Sequence, residues 1–295
     1  MWHLGYEDDT DWQSVDPPIS GTLHDVAQTT IGPHAVGTGG TLLVREDGEW
    51  HVGFDDGPAA ENRELSTVAA TDGGERIWFG GESGAFGCYD VTEGEKYDYS
   101  KPAGTSSTLD ALAVAGERGS EKLLVGGGGT IYPGYVDDCR PTWDDPVDVG
   151  DDGTVAALTA DTDGYGYAST TNGDVYRTTA NSGWNRVGVA NTTESLPSIR
   201  VTSTYLWVGG ASGRVYRYDR SGDSWTTFDV ADQALRSFGG EGETMYVVGD
   251  AGTVVLRVDE KSWREATVPT NEDLFGAIAT PRVVVGANGT ILESE

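Results

Sequence analysis

The sequence predicts an all-β chain folded as one seven-bladed β-propeller of four-stranded antiparallel blades, the last blade closed by the N-terminal strand. Three observations predict it. A strand, glycine turn, strand phrase recurs seven times along the 295 residues. An aromatic residue in a polar stretch follows each of the first six turns by 10 to 14 residues. The aromatic stretch absent after the seventh turn stands near the start of the chain, around Trp12.

The phrases are Ala35–Val44, Trp78–Gly87, Leu124–Pro133, Tyr167–Tyr176, Trp207–Tyr216, Val247–Leu256 and Val284–Glu293. Their turn glycines are Gly40, Gly84, Gly129, Gly173, Gly213, Gly252 and Gly289, spaced 37 to 45 residues apart. A period this regular is the mark of a repeat architecture. Each Gly or Asn-Gly tip supplies the positive φ that a two-residue hairpin turn requires. A short strand precedes each hairpin: Leu23–Ala27, Leu65–Ala69, Leu109–Ala113, Thr154–Thr159, Ser198–Thr202, Leu235–Gly239 and Phe275–Ala279. These are rich in small residues, as a crowded strand beside a central channel must be. The aromatic outer strands carry Trp50, Tyr97, Trp143, Trp184, Trp225 and Trp263. Four strands in this order make a propeller blade.

One domain over 1–295 is expected, with blades at about 20–57, 62–101, 105–148, 151–192, 196–231, 233–270 and 272–295. Residues 1–19 supply the closing strand of the last blade, and the segment 2–7 either extends that blade or covers its edge. The polar stretches 91–107 and 137–153 read as surface loops.

Composition bounds the function. Asp plus Glu number 48 against 19 Lys plus Arg, a formal charge of −29, and the lysines are only Lys96, Lys101, Lys122 and Lys261. Such a surface repels itself in dilute buffer. At molar salt the screening length is only about 3 Å and the repulsion fades. A halophile's protein is therefore expected, with an acidic mesophilic protein as the alternative. No basic stripe suits a phosphate backbone, so no nucleic-acid partner is expected. No apolar run long enough to span a bilayer and no secretory leader is visible, which points to the cytoplasm or a particle in a high-salt environment. Cys88 and Cys139 are too few for a disulfide framework. Free, partly buried thiols are the expectation, a single bridge the alternative.

Stretches such as Arg45–Trp50, Ala180–Asn185, Arg220–Trp225 and Asp259–Trp263 resemble degenerate Asp-box (BNR-type) repeats. With the Val-Gly-x-x-Gly-Thr-Val phrase, the chain is similar to propellers of the photosystem II assembly-factor type. The resemblance covers most of the chain and implies a seven-bladed propeller used for protein contacts. The chain departs from that group in lacking a visible basic patch.

Asp-box propellers include sialidases, which resemble one another in an Arg-Ile-Pro motif near the start. Here the first arginine is Arg45, and Ser198–Val201 lacks the proline. With 48 acids, pairing carboxylates by eye identifies no glycosidase. His3, His24, His34 and His51 could meet as a metal site, but without ligand spacing they read as strand and turn residues. Gly126–Gly129 lacks the Lys-Ser/Thr of a phosphate loop and reads as a hairpin. Asn191 and Asn288 match glycosylation sequons, yet Asn288 sits in a tight turn. No serine or cysteine nucleophile with an oriented base is evident. The acidic pairs Asp137–Asp138, Asp144–Asp145 and Asp151–Asp152 lack an organised calcium loop. No cofactor is expected.

What remains is the channel mouth. The variable inner-strand positions His24, Asp25, Ser66, Thr67, Asp110, Ser198, Arg236 and Ser237 are the candidate binding residues. With Arg236 opposing acids they would line a polar pocket; the alternative is a water-filled channel. The expected function is a non-enzymatic scaffold for a protein partner or multi-protein assembly. One form is a structural or host-recognition component of a halophilic virus particle, with a glycan or cell-surface ligand also compatible. The alternative is a carbohydrate-active or other channel-site enzyme.

Overall fold

The structure is a computed structural model that describes residues 12–149, 153–178, 183–189, 192–240 and 244–294. His3, the segment 2–7, the pair Asp151–Asp152 and Asn191 lie outside the described residues.

Seven antiparallel sheets form the blades, each ordered from an inner to an outer strand. Blade 1 runs Leu23–Thr29, Gly32–Gly37, Thr41–Glu46, Glu49–Asp55. Blade 2 runs Leu65–Ala70, Arg76–Gly81, Phe86–Asp90, Glu95–Asp98. Blade 3 runs Ala111–Ala115, Lys122–Gly127, Thr130–Asp137, Arg140–Trp143, and Val147–Asp148 rejoins its third strand. Blade 4 runs Val155–Ala160, Gly166–Thr170, Val175–Thr178, Trp184–Arg186. Blade 5 runs Ser198–Val201, Tyr205–Gly209, Arg214–Asp219, Ser224–Asp229. Blade 6 runs Leu235–Gly239, Tyr246–Gly249, Val254–Arg257, Trp263–Glu265. Blade 7 runs Leu274–Ile278, Arg282–Gly286, Ile291–Ser294 and takes Gln13–Ser14 as its outer strand.

Gln13 pairs with Glu293 and Ser14 with Leu292. Trp12, 5 % exposed, packs edge-on against Tyr246 of blade 6. The residue beside this closure is clamped from blade 1. Glu293 accepts from Arg45 Nε and Nη2 at 2.6 and 2.8 Å and from Trp50 Nε1 at 2.9 Å.

The apolar core is divided. Each of seven buried clusters spans two neighbouring blades. Leu23, Leu43 and Trp50 of blade 1, for example, pack with Val283, Val285 and Ile291 of blade 7. A sheet with both faces covered needs apolar residues on both sides, which explains runs such as Arg282–Gly286 with three successive valines. Outer strands are more exposed, and Arg140–Trp143 alternates exposed and half-buried residues.

The turns differ from the two-residue form in blades 1, 2, 6 and 7. There, three residues make one turn of 3₁₀ helix: Thr38–Gly40, Glu82–Gly84, Asp250–Gly252 and Ala287–Gly289. Two successive residues take positive φ, as in Ala251 and Gly252 at 54° and 72°. The turn tip meets the connector to the next blade: Gly252 N donates to Glu272 O at 2.8 Å. In blade 3 the turn is of two residues, and the positive φ falls on Gly128 rather than Gly129.

Blades 2 and 3 are also joined by a buried ionic group. Arg76, 1 % exposed, lies 3.0 Å from Glu121 and 3.4 Å from Asp90. Cys88 and Cys139 are free thiols beside it, and burial pushes the Cys88 thiol up to about 12. No helix among the described residues is long and apolar enough to cross a membrane.

Candidate functional site

The inner strands begin at one face of the disc and line, along their length, a channel of about 630 Å³. A buried Leu or Val opens each inner strand or stands two residues before it: Leu23, Leu65, Leu109, Val155, Leu196, Leu235 and Leu274. The next residue points elsewhere. The register slips at this second position in five blades, at His24, Ser66, Ala156, Arg236 and Phe275. A bulge of this kind leaves one residue unpaired and re-aims its side chain. Asp110 and Pro197 hold the equivalent positions in blades 3 and 5, and all seven line the channel. Seven chemically different residues thus occupy the place where otherwise similar blades meet the mouth.

The structure brings all eight sequence candidates to the channel but gives them different work. His24, Ser66, Asp110 and Arg236 hold the bulge-type position. Asp25, Thr67 and Ser198, one residue on, tie neighbouring blades together. Asp25 accepts from Val26 N and Val68 N at 2.9 Å and from Thr67 Oγ1 at 3.3 Å. Ser198 Oγ donates to Leu235 O of blade 6 at 2.8 Å. Ser237 is half-buried at the third position of blade 6.

The charges are arranged locally. His24 Nε2 lies 3.1 Å from Glu64, and its ring packs 5.9 Å from that of Phe275. Burial lowers the His24 pKa below 6.5 against the opposing pull of Glu64, so the ring is neutral at pH 7. Burial raises Asp25 to about 6, although its backbone partners favour the charged form. Asp110 is also raised, by burial and then by repulsion from Glu64. Arg236 does not oppose these acids as the sequence suggested. It is held in its own blade by Asp250, at 2.7 and 3.0 Å.

Sequence reasoning missed Glu64, Phe275 and Asp250, which sit in the connector, the weakest inner strand and a turn. Alignment of the seven internal strands on their leading Leu would have found Phe275. It also missed a second hollow of about 340 Å³ between blades 5 and 6, lined by Arg200, Arg257, Tyr205 and Trp207. Arg257 lies 5.0 Å over the Trp207 ring and Arg217 4.7 Å over Tyr205. These arginines are scattered in sequence, so no basic run announces them.

His24, His34 and His51 do not meet. His34 is fully buried, with Nδ1 donating to Gly32 O at 3.1 Å, while His51 is exposed on an outer strand. Among the described residues no group of three His, Cys, Asp or Glu side chains is placed to hold a metal ion. Asn288 occupies its turn and donates to Glu272 at 2.8 Å.

No family model matches the chain, and no curated protein matches it in sequence. Solved structures do match in fold. Virginiamycin B lyase from Staphylococcus aureus superposes with a TM-score of 0.81 at 12 % identity, over 96 % of this chain and 98 % of that one. A structure of YCF48 bound to D1 peptide gives 0.77 at 16 % identity, over 98 % of both chains. U3-55K gives 0.79 at 12 %, over 97 % and 98 %. At these identities the likeness shows the fold alone.

Proposed function

We propose that this propeller is a non-enzymatic scaffold that holds a protein partner on its channel-mouth face. The observation that carries the reading is the second position of the inner strands. The residue before it is Leu or Val in every blade and the residue after it is small in six of the seven, while this residue is His, Ser, Asp, Ala, Pro, Arg and Phe in turn. Packing does not require that variety, because all seven residues line the channel, five of them at a bulge. In this reading His24, Ser66, Asp110 and Arg236, with Glu64 and Phe275, touch the partner. Asp25, Thr67 and Ser198 hold the blades that present them. YCF48, a propeller solved with a peptide bound, supports the use of such a fold for protein contacts.

The alternative is a channel-site enzyme acting on carbohydrate. Asp25 favours it, since a carboxyl raised to about 6 suits a general acid. Its oxygens, however, are engaged by Val26, Val68 and Thr67, and Arg236 is turned to Asp250. Binding is the better reading.

The test places a photo-crosslinking amino acid at Ser66 or Ser237, with Glu49 on the outer strand of blade 1 as control. In the native host at its own salt concentration, the mouth positions should capture one discrete protein and the control none. Equal capture at all three positions would refute the mouth as the binding face. If the finer reading of a halophilic virus particle holds, the captured protein is another component of that particle.

A further inference from the structure

A larger hollow than the channel lies between blades 3 and 4, where the inner strands end rather than begin. This groove encloses about 910 Å³. Its apolar floor carries Leu124, Pro133 and Val147. After Asp144, whose N donates to Pro133 O at 2.9 Å, the chain leaves the third strand over 145–146 and rejoins it at Val147, which leaves the blade edge notched. Tyr135 and Tyr165, 51 % and 37 % exposed, stand over that notch beside the half-buried Trp184. Among the described residues five large apolar side chains are exposed; the two aromatic ones both line this groove. An exposed aromatic pair over an apolar floor is the surface expected of a docking groove.

The rim gives the occupant's charge. Asp144, Asp145 and Asp163 line the groove against one ammonium, Lys122, in a chain of net charge −29. A neutral or acidic segment gains nothing there; a basic one does. Aromatic-lined grooves take proline-containing segments well, because an extended proline helix is already ordered and loses little entropy on docking. We infer that the groove seats an extended, basic, proline-containing segment of a partner protein. Its apolar side chains lie on Tyr135, Tyr165 and Trp184, and an Arg or Lys meets the aspartates. The site is independent of the channel mouth, being on the opposite side of the disc.

Fluorescence anisotropy on the intact chain tests this with three labelled peptides: one alternating Pro and Arg, one with Glu for Arg, one with Ser for Pro. The Pro-Arg peptide should bind best, and Tyr135→Ala or the Asp144→Asn, Asp145→Asn pair should weaken it by about tenfold or more. Ile31→Ser, an exposed apolar side chain of blade 1, should leave binding unchanged, and circular dichroism should show all variants folded. Equal affinity for the three peptides, or unaltered binding by folded Tyr135→Ala, overturns the inference. So does binding of neutral oligosaccharides in place of the peptide, since an aromatic platform also suits sugars.

Discussion

Single residues in this molecule mostly serve the seams between blades. Asp25 and His34 show how two of them pull stability in opposite directions with pH. The buried His34 ring stays neutral down to about 4, whereas an unfolded imidazole protonates near 6.5. Its contribution is therefore complete above pH 6.5 and is lost as pH falls toward about 4. Asp25 holds its proton up to about 6 when folded, against 3.8 when unfolded. The folded state binds the extra proton in that window, so this contribution falls as pH rises through it. The His34 swing is worth roughly 3 kcal/mol at full development. Urea unfolding in concentrated salt should show His34→Gln losing less stability than wild type between neutral pH and about pH 4.5. Asp25→Asn should lose more, because the favourable acid-side term is gone. Parallel pH profiles for both variants and wild type would show that neither group titrates as described.

At the scale of the element, the repeated turn is where sequence and packing meet. Gly252 carries positive φ, and a Cβ there would come within 2.3 Å of Thr270 O. Gly39 has a similar φ of 70° but open space around it. Gly39→Ala should cost only the left-handed strain, about 1–2 kcal/mol. Gly252→Ala adds displacement of the blade connector and should cost roughly 3 kcal/mol or more. Thermal unfolding of the two variants measures the difference, and equal costs would mean the connector yields freely. The turn glycines were legible as turn formers from their period. Their close approach to the connector was not, because it depends on where the next blade is placed. The same holds for the inner strands. Their existence could be read from small residues, but the bulge that separates His24 from Asp25 could not, since hydrophobic pattern does not register a one-residue slip.

For the whole molecule, closure and charge act against each other. The ring is shut by one strand pair of two residues a side, the Trp12 contact and the Glu293 clamp, while the excess of acids pushes the blades apart. Salt relieves the repulsion without altering the contacts. Raising KCl from about 0.1 M to about 2 M should therefore raise the melting temperature by roughly 5 °C or more. A melting temperature independent of salt would remove the reason to place this chain in brine, and with it the salt condition proposed for its partner.

By itself the sequence determined the blade number, the strand order and the ring closure, because all three follow from a short-range repeat that each blade satisfies in the same way. Those signals are local: a glycine where φ is positive, an aromatic a fixed distance on, an apolar strand between. The tertiary structure decided what the mouth residues do. Whether a polar side chain faces the channel, as Asp110 does, or bonds across a seam, as Asp25 and Ser198 do, depends on the blade beside it. So does the placing of Tyr135 and Tyr165 over one groove. These are contacts between parts distant along the chain, and only the closed ring brings them together.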